Sequence, residues 1–118
     1  MALPPKKPKP ARRTSRFRSQ RHLKHVRSFA CAMCFSEAGT QAAHVRMESG
    51  AGMGEKPDDW RTVPLCGDCH NGEQHTKLGE PAFWRRYAER HRQTVWQLID
   101  ALCQSSPVRR EIEGHRNG

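Results

Sequence analysis

The chain has 118 residues and a mass of 13.5 kDa, room for one small domain with tails and not for two. Leu, Ile, Val and Phe make up only 17 of those residues, and the net charge is +9. A chain so poor in aliphatic and aromatic bulk does not fold on burial alone, so either much of it is disordered or something other than a large core holds it.

No apolar run is long enough for a membrane-spanning helix. The first thirty residues hold no apolar stretch of the kind a secretory signal needs. Five cysteines in such a chain point to metal or free thiols rather than a disulfide framework.

Residues 1–28 carry ten of the 21 basic side chains and no acid. Lys6, Lys7, Lys9, Arg12, Arg13, Arg16, Arg18 and Arg21 form the run that would release counterions from phosphates. The remaining 90 residues are close to neutral, with 11 basic and 12 acidic side chains. Pro4, Pro5, Pro8 and Pro10 forbid helix at the start, because each removes an N–H and crowds the turn before it. A helix is allowed from Thr14 to Ser28. The stretch 1–28 therefore reads as a basic, largely disordered nucleic-acid-binding arm; the plainer alternative is a solubilising or address segment.

Residues 29–36 form a short apolar knuckle around Cys31 and Cys34, and 41–47 read as a strand. Gly50, Gly52, Gly54 and Pro57 mark 48–61 as a loop. Residues 62–66 read as a second strand, edged or bent by Pro64. A short helix is expected from Gly67. Another starts near Pro81, with Phe83, Trp84, Tyr87, His91, Val95, Leu98, Ile99 and Leu102 at helical spacing. Thr94 is placed to cap a second segment, and Cys103 falls on the apolar face. The polar residues 104–118 are expected to be a frayed tail, which leaves 29–103 as the domain.

Cys31 and Cys34 form one CxxC turn, Cys66 and Cys69 another. Each turn points two thiolates at one centre, and two such turns complete a tetrahedron around zinc. Structural zinc contributes on the order of 10–16 kcal/mol in small peptides. Closing the loop between the knuckles costs a few kcal/mol. A metal thus takes the place of the missing core, and the fold class is a small α+β zinc-stabilised domain. Four cysteines alone specify a scaffold. His44, His70 and His75 are the residues that add chemistry.

The pattern resembles the four-cysteine HNH endonucleases, also called His-Me finger or ββα-metal nucleases. The likeness lies in AAHVR at 42–46, GMGEKPDDW at 52–60, PLCGDCHNGEQH at 64–75 and FW at 83–84, and it covers about half the chain. It is similar to small phage and prophage nucleases of this type, the recombination-enhancing Ref nuclease among them. The resemblance implies a ββα-metal unit followed by a C-terminal amphipathic helix or helix pair. It implies hydrolysis of DNA phosphodiesters with His44 as general base. Arg46, two residues on along the same strand face, would bind the scissile phosphate. It implies a catalytic divalent cation (magnesium, manganese or zinc) separate from the structural zinc, with His70, His75 and Asp59 as its candidate ligands.

DNA is the implied partner, with a recombinase or other phage DNA-processing protein beside it, in the cytoplasm of a bacterial host. Two positions depart from the family pattern. Ala43 stands where many such nucleases carry a ligating Asp, and Arg61 falls near the place of the middle Asn. Asp58 or Asp59 would then serve as ligand or as the group that orients His44. The rival from another class is a non-catalytic zinc-ribbon nucleic-acid binder.

Overall fold

The computed structural model describes residues 2–6, 16–51, 55–71 and 79–118. It is a small α+β body. Helix α1 spans Gln20–Arg27, strand β1 Gln41–His44 and strand β2 Thr62–Leu65, with a 3-10 turn at Asp59–Arg61 leading into β2. Helices α2 (Gly79–His91), α3 (Val95–Gln104) and α4 (Arg109–Asn117) follow.

The two strands pair antiparallel, Gln41 opposite Leu65 and His44 opposite Thr62. Ala43 and Val63 face each other and are wholly buried. Pro64 turns its carbonyl outward to the Ala32 N–H (2.8 Å), so the first knuckle attaches to β2 at the residue that has no N–H of its own to pair. Strand β1 ends three residues sooner than its sequence suggests. The chain turns at Arg46–Ser49, closed by Ser49 N–H to Arg46 O (3.1 Å) with Glu48 at φ 57°. Phe83, Trp84, Tyr87, Ile99, Leu102 and Ile112 complete the core with the sheet.

The chain turns into α3 where Thr94 accepts from the Gln97 N–H and the Gln97 side chain returns the bond, a capping box at the position expected from sequence. From Gly67 a helical turn begins, with His70 N–H on Cys66 O (2.8 Å), and its continuation lies outside the described residues.

Two boundaries differ from those expected. Residues 16–28 belong to the body, not to an arm. Helix α1 packs against both strands and buries His22 and Val26, four apart on one face. Residues 104–118 are not a frayed tail: α4 is seated through Val108 and Ile112, again four apart. Both segments are polar on average, and each helix buries only two residues of one face. Lys7, Lys9, Arg12 and Arg13 of the expected arm lie outside the described residues. Among the described residues no helix is long and apolar enough to cross a membrane.

Candidate functional site

The two knuckles meet. Cys31, Cys34, Cys66 and Cys69 bring their sulfurs within 4.8 Å of one another, and Cys34 Sγ lies 3.6 Å from Cys66 Sγ. Zinc–thiolate bonds of about 2.3 Å in a tetrahedron place sulfurs roughly 3.8 Å apart, so the spacing fits. The first turn is closed by Phe35 N–H on Cys31 O (2.8 Å), with Phe35 at φ 63°.

The donors also suit a cation chemically. Burial pushes the Cys31 thiol up, but hydrogen bonds from the backbone at Cys34, Cys66 and Met33 outweigh it and bring it down to about 7. Burial and then the neighbouring thiols push Cys69 up. Four crowded thiols that cannot all ionise alone are relieved by a divalent cation among them. The cluster is therefore one that can hold a metal ion and is consistent with structural zinc. The fifth cysteine is buried apart from these. Cys103 donates to Trp60 O at 3.5 Å, and burial pushes its thiol up to about 11.

His44 sits at the end of β1, with 18% of its side chain exposed. Its Nε2 lies 2.9 Å from Asp59 Oδ1. Asp59 is buried in the 3-10 turn ahead of β2, and the register that sets His44 opposite Thr62 brings the two together. The other Asp59 oxygen accepts the Ser19 N–H (2.9 Å), and Arg18 reaches Oδ1 at 3.3 Å. Both oxygens are thus engaged by protein groups. Asp59 was expected as a ligand or as the group that orients His44, and the structure places it in contact with His44. With Nε2–H donated to the carboxylate, the imidazole keeps its acceptor at Nδ1.

Asp58 does not approach His44 in the same way. It accepts from Phe17 N–H at 2.7 Å, while Asp59 N–H donates to Phe17 O at 2.9 Å. The adjacent acids clamp residues 17–19 to the loop. Arg16 and Arg18, expected to meet nucleic acid, point into the same clamp. Arg16 pairs with Glu55 (2.9 Å) and reaches Asp58 (3.7 Å); Arg18 donates to Pro57 O (2.5 Å) and Lys56 O (2.8 Å). They hold the body together. Arg21 is exposed on α1, and Lys6 is exposed near the start of the chain.

His70 stands on the helical turn after the second knuckle, its Nδ1 held 2.6 Å from Gln41 Oε1 at the start of β1. His75 lies outside the described residues. Among those residues the four cysteines form the single set of three or more His, Cys, Asp or Glu side chains gathered closely enough to share an ion. Asp59 and His70 are not brought together into a second one.

Arg46 is exposed, and its N–H and that of Met47 both donate to the Glu80 carboxylate at 2.8–3.0 Å. Arg61, at the place of the motif's middle Asn, is buried; its guanidinium donates to Val45 O (3.3 Å) and Met47 O and lies over the Trp96 ring. Sequence reasoning passed over Glu80 and noted Arg61 only as a departure from the family pattern. The signal available for Arg61 was its neighbour Trp60 and its place one residue before β2; for Glu80 there was none.

Fold and site together define a small α+β protein built about a four-thiolate cluster that can hold a metal ion. The chain belongs to the family described as "Protein of unknown function (DUF968)", which matches residues 5–103. Comparison with curated proteins and with solved structures gave no match.

Proposed function

We propose that this protein is a metal-dependent endonuclease of the HNH type that hydrolyses DNA phosphodiesters. The observation that carries the reading is the His44–Asp59 pair, a buried carboxylate on one ring nitrogen of a partly exposed histidine. A binding module has no need of an oriented base; hydrolysis does. In this reading Asp59 holds the tautomer, and His44 Nδ1 takes the proton from the attacking water.

His70 is the residue assigned to hold a divalent cation. Its contact to Gln41 is of the kind that fixes ligating histidines through the second ring nitrogen. Such a cation supplies charge stabilisation to the phosphate and the departing 3′ oxygen. Zinc in the four-cysteine cluster has the separate task of scaffold.

The non-catalytic reading draws on Ala43, which is buried in the core where the family pattern has a ligand, and on Arg61, whose side chain is spent on backbone carbonyls. Nicking of supercoiled plasmid by zinc-loaded protein, with magnesium or manganese added or omitted, separates the two. Metal-dependent nicking that disappears with His44→Ala supports the endonuclease. Binding without nicking under either metal supports the binder.

A further inference from the structure

Two residues beyond His44, the backbone presents consecutive N–H groups, Arg46 and Met47, to a single anion. The anion is the carboxylate of Glu80, from the first turn of α2, 34 residues away from Arg46 in sequence. Both of its oxygens are used, at 2.9 and 3.0 Å on Arg46 N–H and 2.8 Å on Met47 N–H. Adjacent amides aimed at one point make an anion-binding concavity, and bonds from N–H to an ionised oxygen are among the stronger hydrogen bonds.

The turn that aims them is built in, closed by Ser49 N–H on Arg46 O, with Glu48 in the left-handed region. A fixed cation backs it: Arg61 is anchored on the carbonyls of Val45 and Met47, on either side of Arg46. Burial pulls the Arg61 guanidinium down from its ordinary value, while Asp58, Glu48 and Glu80 oppose this, so the Glu80 charge and the Arg61 charge feel each other.

We infer that the Arg46–Met47 amide pair is a phosphate-binding site for the nucleic-acid backbone, and that Glu80 occupies it as an internal stand-in until a phosphodiester displaces the carboxylate. The inference rests on the endonuclease reading for the identity of the ligand. A tetrahedral phosphodiester offers two anionic oxygens, as the carboxylate does, and the strand end that positions the amides also positions His44. The site would hold a backbone phosphate at the proposed base with no sequence preference, since amide-to-phosphate contacts carry no base information. Glu80 competes for the same donors and so weakens binding in the free protein.

The test compares Glu80→Ala with Glu89→Ala, which removes the same charge from an exposed position on the same helix. Binding of a fluorescein-labelled 20-base-pair duplex to zinc-loaded protein is measured by anisotropy without added magnesium or manganese. Glu80→Ala should bind about fivefold tighter or more, Glu89→Ala less than twofold, with Glu80→Gln between them. In the wild type, titration with the same duplex should shift the amide resonances of Arg46 and Met47. A folded Glu80→Ala that binds no tighter than Glu89→Ala would overturn the inference and leave Glu80 a structural clip. Arg46 and Met47 amides that stay in place at saturating duplex would overturn it equally, and that measurement needs no variant to fold. Nicking is assayed separately. A wild type that cuts nothing removes the endonuclease reading, while the affinities and amide shifts still decide the phosphate site.

Discussion

In the proposed endonuclease His44 acts as a base with one ring nitrogen held and the other facing the reactant, and the group in contact with it, Asp59, is fifteen residues downstream in sequence. His44→Ala should leave melting, zinc content and DNA affinity close to wild type and lower the nicking rate by about a hundredfold or more. Asp59→Asn tests the orientation itself. The amide can donate where the carboxylate only accepts, which favours the wrong tautomer of His44; the rate should fall by a similar factor while substrate affinity holds. Unchanged cleavage by either variant would remove its residue from the chemistry.

His44 was legible in the sequence because a strand ending in histidine between two CxxC turns is a distinctive arrangement. The contact of Asp59 with His44 was half legible, since two adjacent acids in a loop do not reveal which one folds back. Nothing in the residue pattern marked His22. It is fully buried with Nδ1 on Ser106 Oγ (2.9 Å), its Nε2 without a hydrogen-bond partner among the described residues. Burial, then the His25 charge, pulls its imidazole from 6.5 down to about 4 against the pull of Asp59. Its folded pKa is the lower one, so it binds its proton more weakly folded than unfolded. Its contribution is whole above about pH 6.5 and is lost as pH falls from there to about 4. Urea melts at pH 7.5 and pH 5 should differ by about 2 kcal/mol more for wild type than for His22→Asn. An equal difference would show that acid acts elsewhere, for instance at the thiolates.

The knuckles and the sheet depend on each other. Ala32 N–H on Pro64 O ties the first CxxC to β2, and Cys66 follows directly after that strand, so bringing the four sulfurs together also pins the hairpin that carries His44. Small domains are stable by roughly 5–15 kcal/mol, and structural zinc supplies on the order of 10–16 kcal/mol. Cys66→Ser should therefore abolish the cooperative thermal transition seen by circular dichroism and lower the bound zinc below one per chain. A variant that melts as the wild type does would show that the cluster is not what holds the fold.

Elements with strong periodicity or punctuation were legible: α2 and α3 from the spacing of Phe83, Tyr87, Ile99 and Leu102, and the break between them from Thr94. A helix was allowed where α1 forms, none was expected where α4 forms, and the docking of both onto the body was missed for one reason. Each helix is mostly polar and buries two residues a turn apart, His22 with Val26 and Val108 with Ile112. Those pairs mark one face of each helix, but the low mean hydropathy of both segments reads as solvated chain. In α1, moreover, half of the pair is a histidine that composition counts as polar.

At the scale of the whole molecule, part of the basic N-terminal stretch is built into the body. Arg16 and Arg18 sit in the clamp made by Glu55, Asp58, Asp59 and the carbonyls of Lys56 and Pro57, while Arg21, Lys24 and Arg27 are exposed on α1. Helix α1 then reaches across to the end of α3, with His22 on Ser106 and His25 Nε2 on Ser105 Oγ at 2.8 Å. Lys6, Lys7, Lys9, Arg12 and Arg13 precede all of this. Two truncations should therefore behave differently. Removal of residues 1–15 takes away five positive charges and none of these contacts, so the cooperative melt and the zinc content should persist. Removal of residues 1–28 takes away α1 and the clamp as well, and should abolish the melt even with zinc bound. If the five charges of residues 1–15 all meet duplex phosphates, they contribute about −4.5 to the slope of log affinity against log salt; partial engagement would give roughly −2 to −4. The shorter truncation should flatten the slope by that amount and weaken binding alike on unrelated duplexes, because phosphate contacts do not read sequence. In the nicking assay the loss should appear as a raised substrate requirement with little change in the rate at saturation, since His44 and Asp59 are untouched. Equal salt slopes for the full chain and the protein lacking residues 1–15 would confine DNA binding to the folded body and leave the first fifteen residues with no part in it.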